Sequence, residues 1–218
     1  MLPFAAQRFN MVEAQVRIND VTDPRIHAAM GEIARERFVP AAKRALAYAD
    51  VPVEVAPGRF LLDPRSFAKL VALADIQGTD TVLDVGAATG YSSAVLARLA
   101  RNVIALEQDA ELVRIAYELL PSVGASNVVV TQGALNLGLK AKAPFDVIVV
   151  NGAIPERPDA LIAQLAEGGR LVAVIGDGSF ASRGEIFVRE HGGISQRAGF
   201  DAAVPPLVGF SKTVGFVF

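Results

Sequence analysis

The chain has 218 residues, 52% of them hydrophobic, which is enough for one well-buried core with accessory elements. Its formal net charge is only −2, with acids and bases interspersed and no basic stripe, so neither an electrostatic grip on nucleic acid nor a nucleic-acid partner is expected. The absence of cysteine excludes disulfides and thiolate chemistry, and His27 and His191 lie too far apart for a zinc motif.

The opening residues, MLPFAAQRFN, lack a basic segment followed by a long apolar run, so no signal peptide is expected. The apolar run FDVIVVNGAI is far too short to span a bilayer. A cytoplasmic protein without a membrane partner is the expectation, folded as one domain over 1–218, with its oligomeric state left open. Within it, 1–65 reads as a helical and loop region and 66–218 as an α/β core.

Asp23 followed by Pro24 marks a helix start, and Ile26, Met30, Ile33 and Ala34 recur at helical spacing until Pro40 stops the pattern. VPVEVAPGRFLLDP, broken by Pro52, Pro57, Gly58 and Pro64, reads as an irregular connection. From there helix and strand alternate. Helices are predicted over 64–75, 91–100, 109–121 and 157–166, and strands over 81–85, 102–107, 126–131, 144–150 and 169–175. The strands are short, continuous and β-branched, as in a parallel sheet covered on both faces. Alternating units of this kind predict a doubly wound α/β sheet. After Gly176 the rhythm changes, and Gly192-Gly193 signals a hairpin between EIFVRE and ISQRAGF, with SKTVGFVF as a further strand. His27 reads as a packing or surface residue, not a base.

The first strand of the alternating region runs into TVLDVGAATGYSS, residues 81–93. Open parallel sheets bind ligands beyond the carboxyl ends of their strands, beside such a turn. A dinucleotide fingerprint needs glycines at relative positions one, three and six, which here are Gly86, Ala88 and Tyr91. Two of the three fail, and Tyr91 would crowd the helix approach. A P-loop needs a lysine after its second glycine, and Gly90 is followed by Tyr91.

An acid ending the strand, then G-x-x-x-G, then a helix, resembles the first motif of class I S-adenosylmethionine-dependent methyltransferases. The resemblance implies S-adenosyl-L-methionine as cofactor, with Asp84 near its amino-acid portion. It also implies that Gly86 and Gly90 admit the ligand where a β-carbon would intrude; Ala88 stands where the family usually has glycine. Glu107 ends the next strand, where two carboxylate oxygens accept from ribose hydroxyls, with Gln108 beside it.

More closely, MVEAQVR, VTDPRIHAAM, RERFVP, LAYADVPV, PFDVIVVNGAIPERPDALIAQLAEGGRLV and VPPLVGF are together similar to protein-L-isoaspartate O-methyltransferases, from about Met11 to Phe210. That family implies a mostly parallel sheet of the class I methyltransferase type, with an N-terminal helical extension and antiparallel C-terminal strands. It implies transfer of methyl groups to isoaspartyl carboxylates of damaged proteins or peptides.

Two departures bear on activity. The family's substrate loop reads G-Q-T-I-S-x-P, whereas residues 58–64 read GRFLLDP, so Phe60 and Leu62 replace hydroxyl residues on either side of Leu61. A site built to hold a carboxylate through such a group loses discrimination when it is missing. The family's Gly-Asp before the adenine amino group is Gly133-Ala134 here, with Asn136 as a substitute in a different register. Asn151, after the fourth strand, falls where small or polar residues line the family's site. Carboxylate methylation is governed mainly by alignment, because the nucleophile is already ionised. Three readings follow: a repair methyltransferase, a methyltransferase with another acceptor, or a non-catalytic binding relative.

Overall fold

The computed structural model describes residues 2–179 and 181–210. In chain order, α1 (Phe4–Met11) continues as irregular helical turns to Asn19. There follow α2 (Pro24–Glu32), β1 (Val53–Ala56), β2 (Arg59–Leu61) and α3 (Pro64–Ala74). The α/β region then comprises β3 (Thr81–Val85), α4 (Tyr91–Leu96), β4 (Asn102–Glu107), α5 (Ala110–Ser122) and β5 (Val128–Gln132). It closes with β6 (Phe145–Ile154), α6 (Asp159–Ile162), β7 (Leu165–Ile175), β8 (Arg183–Glu190) and β9 (Gly193–Asp201).

Seven strands form one sheet in the order β5-β4-β3-β6-β7-β8-β9, while β1 and β2 form a separate two-stranded sheet. Neighbours from β5 through β7 are parallel, and β8 and β9 are antiparallel. The doubly wound expectation therefore holds, as do the antiparallel strands at its end. Strand order reverses between β3 and β6, which opens the ligand crevice of such sheets at their carboxyl ends.

Both faces of the sheet are covered at its centre, while the edge strands β5 and β9 have no buried residue. Val82, Val103, Val147, Val149 and Val172 pack with α3, α4, α5 and the N-terminal helices. Leu83, Val85, Leu106, Ile148 and Val150 pack on the other face with Leu161 and Phe187. Strands buried on both sides need no polar alternation, which explains their continuous apolar runs. Three aspartates cap helices, Asp23 as expected and two more that the structure adds. Asp23 caps α2 through Arg25 N, Asp63 caps α3 through Ser66 N, and Asp109 caps α5 through Glu111 N and Leu112 N.

Several boundaries differ from the sequence reading. VPVEVAPGRFLLDP is a hairpin: its prolines stand at the strand ends, and Gly58, at φ +68°, turns the chain. Helix α2 stops at Glu32, not before Pro40, because Ile33 is extended and Arg35 turns its guanidinium inward to Ala47 O and Leu62 O. Helix α4 is regular only to Leu96 and α6 only to Ile162, since β7 already pairs Leu165 with Phe145. The hairpin at Gly192-Gly193 is present, with His191 and Gly192 both at positive φ. The proposed strand SKTVGFVF lies outside the described residues. His27 is buried with Nε2 2.6 Å from Val21 O, a packing role as expected. Among the described residues, no helix is long and apolar enough to cross a membrane.

One ionic latch joins the strand side to the helix layer. Arg170 on β7 donates to Ala74 O and Asp75 O at the end of α3 and meets Asp80 Oδ2 at 2.7 Å. It satisfies carbonyls that the helix leaves unpaired and favours its negative end. Arg170→Ala is expected to lower the unfolding free energy by about 2–3 kcal/mol in urea titrations, because charge-assisted bonds and partly buried acceptors are lost together.

Candidate active site

The turn between β3 and α4 occupies the carboxyl edge beside the switch point. Its backbone is left-handed at Gly86 (φ +79°), Ala88 (φ +51°) and Gly90 (φ +96°). The preference for glycine at the middle position thus has a local cause, since a side chain there costs about 1–2 kcal/mol of backbone strain. Ala88 keeps the conformation, and its N–H donates to Glu107 Oε2 at 2.8 Å.

Asp84 ends β3 fully buried. It accepts from Ser92 Oγ at 2.7 Å, from Ser93 Oγ at 2.5 Å and from Asn151 Nδ2 at 2.6 Å. One carboxylate thereby ties β3 to the first turn of α4 and to β6. Burial pushes its pKa above the ordinary value, and the three hydrogen bonds oppose that shift.

Glu107 ends β4 and is also fully buried. Its Oε1 accepts from Gln108 N at 2.8 Å and Asp109 N at 3.1 Å. Its Oε2 accepts from Ala88 N and from Arg59 Nη2, the latter at 2.5 Å. Four donors fill the acceptor positions of a carboxylate. The acid thus stands at the strand end expected for ribose recognition, but its oxygens are already engaged within the chain. Arg59 is itself nearly inaccessible, with 5% of its side chain exposed. Removing one partner of such a pair costs about 3–5 kcal/mol, because the other charge stays buried.

Leu207 fills the remaining space. A β-carbon built on Gly86 would lie 2.9 Å from Leu207 Cδ1 and 3.4 Å from Arg59 Nη2. One on Gly152 would lie 2.8 Å from Leu207 Cβ. The segment carrying Leu207 is pinned to β6 by Ala153 N to Pro205 O at 2.9 Å and Leu207 N to Ala153 O at 2.8 Å. Beyond it, Gly209 lies against the Gln108 side chain. The cavity left beside Gly86 measures about 10 Å³, roughly the space of one water. The turn has a suitable backbone for S-adenosylmethionine, and the group fits in front of it once the Leu207 and Arg59 side chains move aside.

That cavity brings Phe60, Leu61 and Leu62 together with Gly86, Tyr91 and Asn151, as expected of a loop facing the turn. The Tyr91 ring, however, faces the N-terminal region, 5.8 Å from both Phe38 and Phe67, with the Arg35 guanidinium 4.6 Å from its centroid. The ring is thus a packing element of the N-terminal side, while the residue also lines the cavity beside Gly86. Burial pushes Arg35 below and Tyr91 above their ordinary pKa values. A β-carbon on Gly90 would meet Leu120 Cγ at 3.2 Å and Ala116 Cβ at 3.3 Å, so the glycine also admits the close approach of α5. Gly133, Ala134 and Asn136 follow β5 at the rim, where Ala134 and Asn136 are exposed. Gly133 N donates to Glu107 O, and no side-chain hydrogen bond ties Asn136 to the turn among the described residues.

Sequence reasoning missed Arg59, Leu207, Ser92 and Ser93. Arg59 had a visible signal, a cation where the family pattern has glutamine, but its reach to Glu107 across 48 positions depends on the hairpin. The serines were legible only as helix residues until Asp84 was placed beside them.

A sequence profile of the protein-L-isoaspartate(D-aspartate) O-methyltransferase family matches residues 7–208. A protein-L-isoaspartate O-methyltransferase of Koribacter versatilis is 39% identical over 207 residues, covering 94% of this chain and 92% of the relative. One from Rhodopseudomonas palustris strain HaA2 is 39% identical over 180 residues, covering 83% and 74%. Among solved structures, a Plasmodium falciparum protein described as a protein-L-isoaspartate O-methyltransferase, in complex with S-adenosyl-L-homocysteine, aligns with a TM-score of 0.79. That alignment, at 21% identity, covers 93% of this chain and 98% of the other, and bears on the fold alone. With a profile spanning nearly its whole length and relatives at this identity, the chain belongs to the protein-L-isoaspartate(D-aspartate) O-methyltransferase family.

Proposed function

We propose that the protein is an S-adenosylmethionine-dependent carboxyl methyltransferase whose acceptors are isoaspartyl residues in proteins or peptides. The observation that carries this reading is the pair of buried strand-end acids, Asp84 and Glu107, flanking a left-handed turn at the switch point of the sheet. Family membership and the name shared by its 39% identical relatives support the acceptor. A cytoplasmic setting belongs to the same reading, on the strength of the cysteine-free sequence.

A second reading, a relative that has kept the fold without the chemistry, is favoured by the arginine lodged against Glu107 and by the apolar acceptor loop. Leu61 and Leu62 are buried, and nothing in Phe60 or Leu62 donates to a carboxylate. A charge brought there would lose water without gaining a partner.

One experiment separates these possibilities, and a second tests the buried acid on which the site is built. Methyl transfer from labelled S-adenosylmethionine to an isoaspartyl peptide, against the same peptide with ordinary aspartate, should be weak in the wild type. In Phe60→Thr/Leu62→Ser it should rise by roughly tenfold or more. Equal turnover by both proteins would refute the role given to the loop, and no transfer by either at saturating donor would favour the non-catalytic reading.

The second concerns Asp84. Its raised pKa means that the native state holds the proton more tightly than the unfolded chain does. That stabilisation is complete below the unfolded value, about pH 4, and is lost as pH rises through the raised one. The difference in urea midpoint between wild type and Asp84→Asn should therefore shift against the wild type as pH rises across the acidic range. A pH-independent difference would show that Asp84 is ionised with an ordinary pKa.

A further inference from the structure

The closed state of the site has a specific author within the chain. We infer that Arg59 is an internal occupant of the donor site, and that a donor enters only when the arginine leaves Glu107. This rests on the reading of the β3–α4 turn as a donor site, and it adds a regulatory element to that reading.

Three observations carry it. First, Arg59 Nη2 donates to Glu107 Oε2, the carboxylate that the donor's ribose hydroxyls would need, so arginine and ligand compete for the same acceptor. Second, the same nitrogen and Leu207 Cδ1 occupy the space in front of Gly86, leaving about 10 Å³ free. Third, the arginine is buried but incompletely satisfied. Its Nε has no hydrogen-bond partner among the described residues, although an unpaired buried donor is unfavourable. An under-bonded side chain is easier to displace than a fully bonded one.

The surroundings suit displacement. Arg59 begins β2, immediately after the left-handed Gly58 of the turn, in a two-stranded sheet separate from the seven-stranded one. When it withdraws, Glu107 keeps the N–H groups of Ala88, Gln108 and Asp109 and regains one acceptor position on Oε2. A hydroxyl donates into that position as the guanidinium did. The scaffold of the turn is therefore the same whether arginine or ligand completes the carboxylate.

The test is calorimetric titration of S-adenosylhomocysteine into wild type, Arg59→Gln and Arg59→Lys, each verified as folded by circular dichroism and thermal melting. Arg59→Gln restores the residue of the family's loop pattern and removes the charged plug. It should bind at least roughly tenfold more tightly, because apparent affinity scales with the fraction of molecules whose site is open. A smaller gain, with both proteins binding, overturns the occlusion while leaving the donor site intact. No binding by any folded protein overturns both the occlusion and the donor reading. Should Arg59→Gln not fold, Arg59→Lys decides the matter, since it keeps a cation for the fold but lacks the Nη2 that lies against Glu107 and Gly86. Tighter binding supports occlusion and unchanged binding overturns it.

Discussion

The arrangement at the carboxyl edge of the sheet depends on how one buried carboxylate is satisfied. Glu107 cannot reach water, so each of its lone-pair positions needs a donor supplied by the chain. Two come from the backbone starting α5, one from the glycine turn and one from the distant hairpin. The requirement therefore pulls the glycine turn and the distant hairpin to the start of α5. Asp84 does the same on a smaller scale, drawing in α4 and β6. Two acids buried at adjacent strand ends cost desolvation, and the network of donors around them is what makes that burial tolerable.

The N-terminal region extends this logic. Arg35 is wholly buried, donates to Ala47 O and Leu62 O, and lies over Tyr91. Thr89 Oγ1 donates to Phe38 O at 2.7 Å, so the glycine turn is held from the helical side too. The first sixty residues thus form the wall of the site as well as covering the sheet, and the hairpin β1–β2 is presented from that wall toward the turn.

Much of this was legible in the sequence, for identifiable reasons. The central strands announced themselves because burial on both faces demands continuous β-branched runs, and the helix start at Asp23 follows from local capping chemistry. Asp84, Gly86 and Glu107 were legible because strand-end acids and a turn glycine have fixed spacing. Side-chain direction was not. Tyr91 and Gly90 follow the turn in sequence, yet one packs on Phe38 and Phe67 and the other on α5. The hairpin was read as irregular because its prolines masked the alternation of VEVA. Arg59 and Leu207 were invisible as partners of the turn because that relation is tertiary.

The hairpin's separation from the main sheet has a consequence for how this protein can diverge. No strand of the seven-stranded sheet pairs with β1 or β2, so the residue that completes Glu107 belongs to an element outside the main framework. Substitution of Arg59 in that short ribbon alters what fills the crevice while the hydrogen-bond ladder of the main sheet stays as it is. The cost of change at that one hairpin position is therefore set by the buried charge left on Glu107 and not by the strand ladder.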